Sequence, residues 1–156
     1  MYKIRIVAVG GLKEGYLREG VEEYTKRISP YARLVIEEAA ESPLTDESEA
    51  GVKRVLAQES KGISARLSGY VMVTDVEGKT LTSEEFSKEI IKGCTEKGET
   101  TVVIGSSYGL DETIKKAADV RVSFGRMTMP HRLMRLVVCE QVYRALTIKA
   151  GKTYHK

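Results

Sequence analysis

The chain has 156 residues, is 42% hydrophobic and 30% charged, and carries a formal net charge of +3. That length suits a single domain, 1–156, with a real core, and the composition argues against disorder and low complexity. No apolar run approaches the roughly 20 residues needed to cross a bilayer, and MYKIRIVAVGG is too short and too alternating for a signal peptide, so a cytoplasmic protein is expected.

Lys3–Val9 is rich in β-formers and predicts a strand that Gly10 and Gly11 end. Leu17, Val21, Tyr24 and Ile28 recur at helical spacing, so Tyr16–Ser29 is expected as an amphipathic helix stopped by Pro30. Arg33–Ile36 predicts a second strand. The acidic stretch Glu38–Glu49 contains Pro43 and reads as a loop. Ala50–Leu67 predicts a helix with Val52, Val55, Leu56 and Ile63 on one side.

Tyr70–Thr74 predicts a third strand, followed by a turn at Asp75–Lys79. Thr82-Ser-Glu-Glu85 fits a capping box opening a helix through Cys94. Thr101–Ile104 is a wholly apolar fourth strand. Gly105-Ser-Ser-Tyr-Gly109 is a glycine-bounded loop, Asp111–Ala118 a short helix, and Val120–Ser123 a fifth strand. After a loop at Phe124–Met129, Pro130 opens a helix to Ala150; proline is tolerated there because the first helical N–H has no partner. Strands alternating with helices predict an α/β fold, a mostly parallel sheet with helices on both faces. Cys94 and Cys139 fall in helical patterns and read as buried free thiols.

The last helix is apolar over most of its circumference: Leu133, Leu136, Val137, Val138, Cys139, Val142, Leu146 and Ile148 exceed what one side of a sheet needs. A helix sandwiched within one subunit would need covering elements, so a second copy of the chain is the expected cover, with two-fold symmetry. From Arg121 onward eight basic side chains stand against one acid, Glu140, a net +7; the first 120 residues carry 17 basic against 21 acidic, a net −4. A basic end on an acidic body suits a polyanion, nucleic acid foremost, or else is a solvated basic helix.

In an open parallel sheet, ligands bind beyond the carboxyl ends of the strands. Three loops qualify: after Thr74, at Gly105–Gly109 and at Phe124–Met129. Gly-Ser-Ser-Tyr-Gly alone would also serve as an ordinary strand-to-helix turn. No elbow motif frames Ser106 or Ser107 as a nucleophile. His131 and His155 stand too isolated to predict a metal site. His131 suits a structural hydrogen bond or catalysis. Tyr154-His155-Lys156 joins a stacking ring, a titratable imidazole and a cation, and predicts either a frayed tail or an RNA contact.

Strand–GSSYGL–helix, then SFGRMTMPHRLMR, then EQVYRA and a terminal YHK resemble the ribosomal RNA large subunit methyltransferase H family, of the SPOUT class. IRIVAVGGLKEGYLREGVEEYTKRIS and VTDVEGKTLTSEEF extend the resemblance over essentially the whole chain. The resemblance implies a SPOUT-type fold with a C-terminal trefoil knot, a rare exception to unknotted chains. It also implies a homodimer whose two subunits build the active site together. The implied reaction moves the methyl group of S-adenosylmethionine to N3 of a pseudouridine in large-subunit ribosomal RNA, on the assembled ribosome. Cofactor contacts carry over to Thr74, Gly105, Ser106, Phe124, Gly125, Arg126, Met127, Thr128 and Met129. Ser106 stands where the family usually has a second glycine, Thr74 where leucine is frequent, and Thr153 where proline is usual.

N3 of a uracil-type ring is protonated at neutral pH, so the reaction needs a proton acceptor; His155 is the candidate by residue type. Tyr154 and Arg135 join it as candidate catalytic residues, Tyr154 by stacking on a splayed base. Arg132, Arg144, Lys152 and Lys156 are candidates to hold RNA phosphates. Two rival functions fit the same chain: a non-catalytic ribosome- or RNA-binding protein whose cofactor cleft Ser106 closes, and a nucleotide-sensing regulatory domain.

Overall fold

A computed structural model describes every residue from Met1 to Lys156. Ten elements follow in chain order: β1 Tyr2–Val9, α1 Gly15–Ile28, β2 Ala32–Ala39, α2 Glu49–Ser64, β3 Tyr70–Thr80, α3 Ser83–Lys97, β4 Thr100–Ile104, α4 Glu112–Ala117, β5 Val120–Ser123 and α5 His131–Lys149. The five strands form one all-parallel sheet in the order β2-β1-β4-β3-β5.

Strand alternation sorts the core into two layers. Ile4, Ile6, Ala8, Tyr70, Met72, Val102 and Ile104 meet α1, α3 and α5 on one face. Val7, Val9, Val71, Val73 and Val103 meet Ile63 of α2 and Ile114 of α4 on the other. Successive strand residues point to opposite faces, and β4, Thr-Thr-Val-Val-Ile, is buried on both, its two threonine hydroxyls donating to the Ile90 and Ser68 carbonyls. Thr82 and Glu85 form the expected capping box at the start of α3.

The expected turn at Asp75–Lys79 lies inside β3, whose pairing with β5 shifts register between Thr74 and Lys79. The extra residues form a bulge rather than a reversal. Gly78 allows it: a Cβ there would sit 2.7 Å from the carbonyl carbon and oxygen of Arg121. β2 also runs on to Ala39, three residues beyond the expected strand, pairing in register with β1 as far as Val9.

Helix α5 lies between α1 and α3 over the sheet, and no residue from His131 to Ile148 is exposed. The fold thus supplies the intramolecular cover that the sequence alone did not reveal. Met134, Leu136 and Tyr143 pack against the core, whereas Leu133, Val137 and Ile148 are half-buried outside it. No helix is long and apolar enough to cross a membrane.

Candidate active site

The carboxyl ends of β3, β4 and β5 open into a cleft of about 430 Å³. That lies within the roughly 300–1,000 Å³ usual for small-molecule sites. Helix α3 covers one face of the sheet and α4 the other, so the chain departs from adjacent β3 and β4 in opposite directions, and a crevice opens between them. All three loops expected from the sequence converge on it. Thr74, Gly105, Ser106, Phe124, Gly125, Met127, Thr128 and Met129 line the cleft; Arg126 does not and is exposed.

The floor is a tight backbone loop. Ser106 and Gly109 form an isolated antiparallel bridge, the Ser106 N–H donating to the Gly109 carbonyl at 3.2 Å and the Gly109 N–H to the Ser106 carbonyl at 2.9 Å. Gly105 sits beneath it, where a Cβ would lie 2.4 Å from the Gly109 oxygen. Ser106 adopts no left-handed angle, since every positive φ in the chain belongs to glycine. Its hydroxyl is buried in the wall without a hydrogen-bond partner. The Thr74 hydroxyl donates to the Val103 carbonyl at 3.2 Å, tying β3 to β4 at the cleft edge.

Several further residues line the cleft, of which Lys115 and Met134 had no sequence signal of their own. Asp75, Val76 and Glu77 continue from Thr74 along the bulged strand, and Tyr108, Lys115, His131 and Met134 complete the walls. Asp75 is buried, with Arg121 at 3.5 Å and Lys115 at 3.8 Å. His131 Nδ1 lies 3.1 Å from the Ser107 hydroxyl. Burial lowers the His131 pKa below its ordinary value, so the ring is neutral at neutral pH and the hydroxyl can donate to Nδ1.

The basic end of the chain resolves into three settings. Arg135 is buried: Nη1 donates to Glu38 at 2.9 Å and Nη2 to the Gly10 carbonyl at 2.7 Å. Expected as a catalytic candidate, Arg135 instead clamps the ends of β1 and β2, because α5 carries it into the protein rather than onto a surface. Arg135→Ala is expected to cost about 2–4 kcal/mol of folding stability, read as a lower denaturation midpoint. Arg132 is half-buried, 3.5 Å from Glu14. Lys152 and Lys156 are exposed.

The tail is not frayed; it docks on its own subunit. Tyr154 packs edge-on against Tyr143 with ring centroids 4.8 Å apart, and its hydroxyl donates to Glu140 at 2.9 Å. The Arg144 guanidinium lies 4.9 Å over the Tyr154 ring and pairs with Glu140. Burial first, then Tyr24 and Glu140, raise the Tyr154 phenol above its ordinary pKa, so it remains a neutral donor. His155 Nδ1 lies 3.3 Å from Arg144 Nη1, and Nε2 lies 2.9 Å from Glu84 of α3. None of the three tail residues lines the cleft of the same chain.

A family model described as "Predicted SPOUT methyltransferase" matches residues 2–155. The chain belongs to the SPOUT methyltransferases. It is 47% identical over 158 residues to the ribosomal RNA large subunit methyltransferase H of Carboxydothermus hydrogenoformans, covering 99% of both chains. It is 45% identical over 161 residues to the protein of that name from Streptococcus pneumoniae, again over 99% of each. Among solved structures, a probable methylase family protein from Haemophilus influenzae matches with a TM-score of 0.57 at 12% identity, over 98% of this chain and 70% of that one. A probable methyltransferase from Bordetella pertussis matches with a TM-score of 0.53, also at 12% identity, over 92% and 93%. These structural matches speak for the SPOUT fold alone. Family membership makes this chain a methyltransferase, against the two non-enzymatic readings.

Proposed function

We propose that this SPOUT methyltransferase moves the methyl group of S-adenosylmethionine to N3 of a pseudouridine in large-subunit ribosomal RNA. It acts in the cytoplasm, as a homodimer on the assembled ribosome, with its C-terminal segment threaded as the trefoil knot of its class. The observation that carries this reading is the convergence of all three strand-end loops on one cleft, combined with the family match over residues 2–155.

The cleft suits the methyl donor on its own evidence. Its volume is adequate, Gly105 and Gly109 bring backbone to its surface, and Asp75 and Lys115 supply charges of both signs for an amino acid moiety. S-adenosylmethionine supplies a methyl group already activated on a sulfonium, whose carbon–sulfur bond breaks with the electron pair kept by sulfur. The chain's own work is placement and proton removal. The loops at Gly105–Gly109 and Phe124–Met129 hold the donor; Tyr154 with Arg132, Arg144, Lys152 and Lys156 hold the RNA; His155 takes the N3 proton.

The separation of the parts supports a dimer. The tail and the cleft do not meet within one chain, and a two-fold partner that brings its tail to this cleft joins them. Leu133, Val137 and Ile148, half-buried outside the core on α5, offer the apolar surface for that partner. Calorimetric titration with S-adenosylmethionine, with light scattering on the same sample, tests this reading. Saturable binding by a dimer is expected. A 17.3 kDa monomer at micromolar concentration, or no binding, overturns it.

A further inference from the structure

We propose that Glu84 is a positioning residue that fixes the tautomer and orientation of His155 for proton removal; this rests on the reading of His155 as proton acceptor. The observation is the pair of contacts on one imidazole. Nε2 lies 2.9 Å from the Glu84 carboxylate and Nδ1 lies 3.3 Å from the Arg144 guanidinium. A guanidinium can only donate and a carboxylate can only accept. Both contacts are therefore satisfied by one species: the neutral ring with its proton on Nε2. Glu84 thus leaves the Nδ1 lone pair as the free basic end of the ring.

The contact to Arg144 is the weaker of the two. It is long, and that guanidinium is already paired with Glu140 and stacked over Tyr154. An N3–H donor can take its place at Nδ1 without disturbing Glu84. The charged groups around His155 are Glu84 from α3, Arg144 with Glu140 behind it from α5, and Lys156 beside it in the chain; Tyr154 is the neighbouring neutral phenol. As N3 bonds to the methyl carbon, its proton passes to Nδ1. The imidazolium so formed keeps its Nε2–H on Glu84, which offsets the new charge, and later returns a proton to water. This is the logic by which a carboxylate holds the histidine of a hydrolytic triad.

The capping box holds the carboxylate in place. Thr82 and Glu85 fix the first turn of α3, where Glu84 also sits favourably for the helix dipole. Glu84 itself is largely exposed, with 56% of its side-chain surface accessible, so replacing it leaves the core intact.

Full-length Glu84→Ala, Glu84→Gln and His155→Ala would be compared with the parent on ribosomes lacking the modification. Glu84→Ala is expected to lower kcat about tenfold or more, with KM for ribosomes and S-adenosylmethionine affinity within about twofold of the parent. Glu84→Gln keeps an acceptor for Nε2–H, so its kcat should fall between the two. Nitrogen NMR of a chain with only two histidines should show the Nε2–H tautomer at His155, lost in Glu84→Ala. Parent kcat in Glu84→Ala alongside an impaired His155→Ala overturns the positioning role alone. A loss confined to KM overturns it in favour of a direct RNA contact. Parent kcat in His155→Ala overturns both this role and the proton-acceptor reading.

Discussion

Gly105→Val should abolish methyl transfer while the sheet stays folded. Any Cβ at residue 105 would lie 2.4 Å from the Gly109 oxygen, 2.6 Å from the Gly109 carbonyl carbon and 2.9 Å from Leu110 Cγ. Two of those atoms are backbone, so no rotamer change relieves the overlap. The loop has to move, and the Ser106–Gly109 bridge opens with it. That bridge is the floor of the cleft. A displacement of about 1 Å in a positioning element can cost on the order of a hundredfold in rate, and the β-branched valine enlarges the displacement. The damage stays local because β4, wholly buried and paired on both sides, ends at Ile104. Calorimetry should show S-adenosylmethionine affinity falling by on the order of a hundredfold or more, with far-ultraviolet circular dichroism unchanged. Parent affinity in a folded Gly105→Val protein would place the donor outside this cleft.

The elements that sequence reasoning located well are those whose burial is written in local pattern. The β-branched run of β4, the capping box at Thr82 and the glycines after β4 each state a local requirement, and each stands where expected. The bulge in β3 was not legible. Asp-x-x-Gly-Lys carries turn chemistry, and Gly78 reads as a turn residue until the backbone of β5 is seen pressing on it. Arg135 shows the same limit more sharply. A basic residue on a basic helix reads as a surface group free to act, and so as a catalytic candidate. Its burial depends on Glu38 and the Gly10 carbonyl, which the fold brings in from β2 and the end of β1. The tail failed for the opposite reason. Chain ends default to disorder, and what docks this one is Glu84, Glu140, Tyr143 and Arg144, gathered from two helices.

That docking sharpens what removal of Tyr154, His155 and Lys156 should do. Stability should fall by about 2–4 kcal/mol, the worth of one aromatic pair and one hydrogen bond to a charged group. The two core layers contain no tail residue, so the domain stays folded. S-adenosylmethionine affinity should not change, because the tail, even when a partner brings it to the cleft, offers chemistry that suits a base and a phosphate rather than a sulfonium. Methylation of ribosomes, by contrast, should fall by on the order of a hundredfold or more, since alignment and the proton acceptor are lost together. His155→Ala separates the two. It keeps Tyr154 on Tyr143 and Glu140, hence the stacking ring, and removes only the imidazole. Its rate should be low at neutral pH, where the target N3 holds its proton, and should recover partly as rising pH removes that proton without help. Methylation at the parent rate across the pH range would exclude His155 as the acceptor. If the three-residue deletion alone were then impaired, the tail would act by binding RNA, through Tyr154 and Lys156.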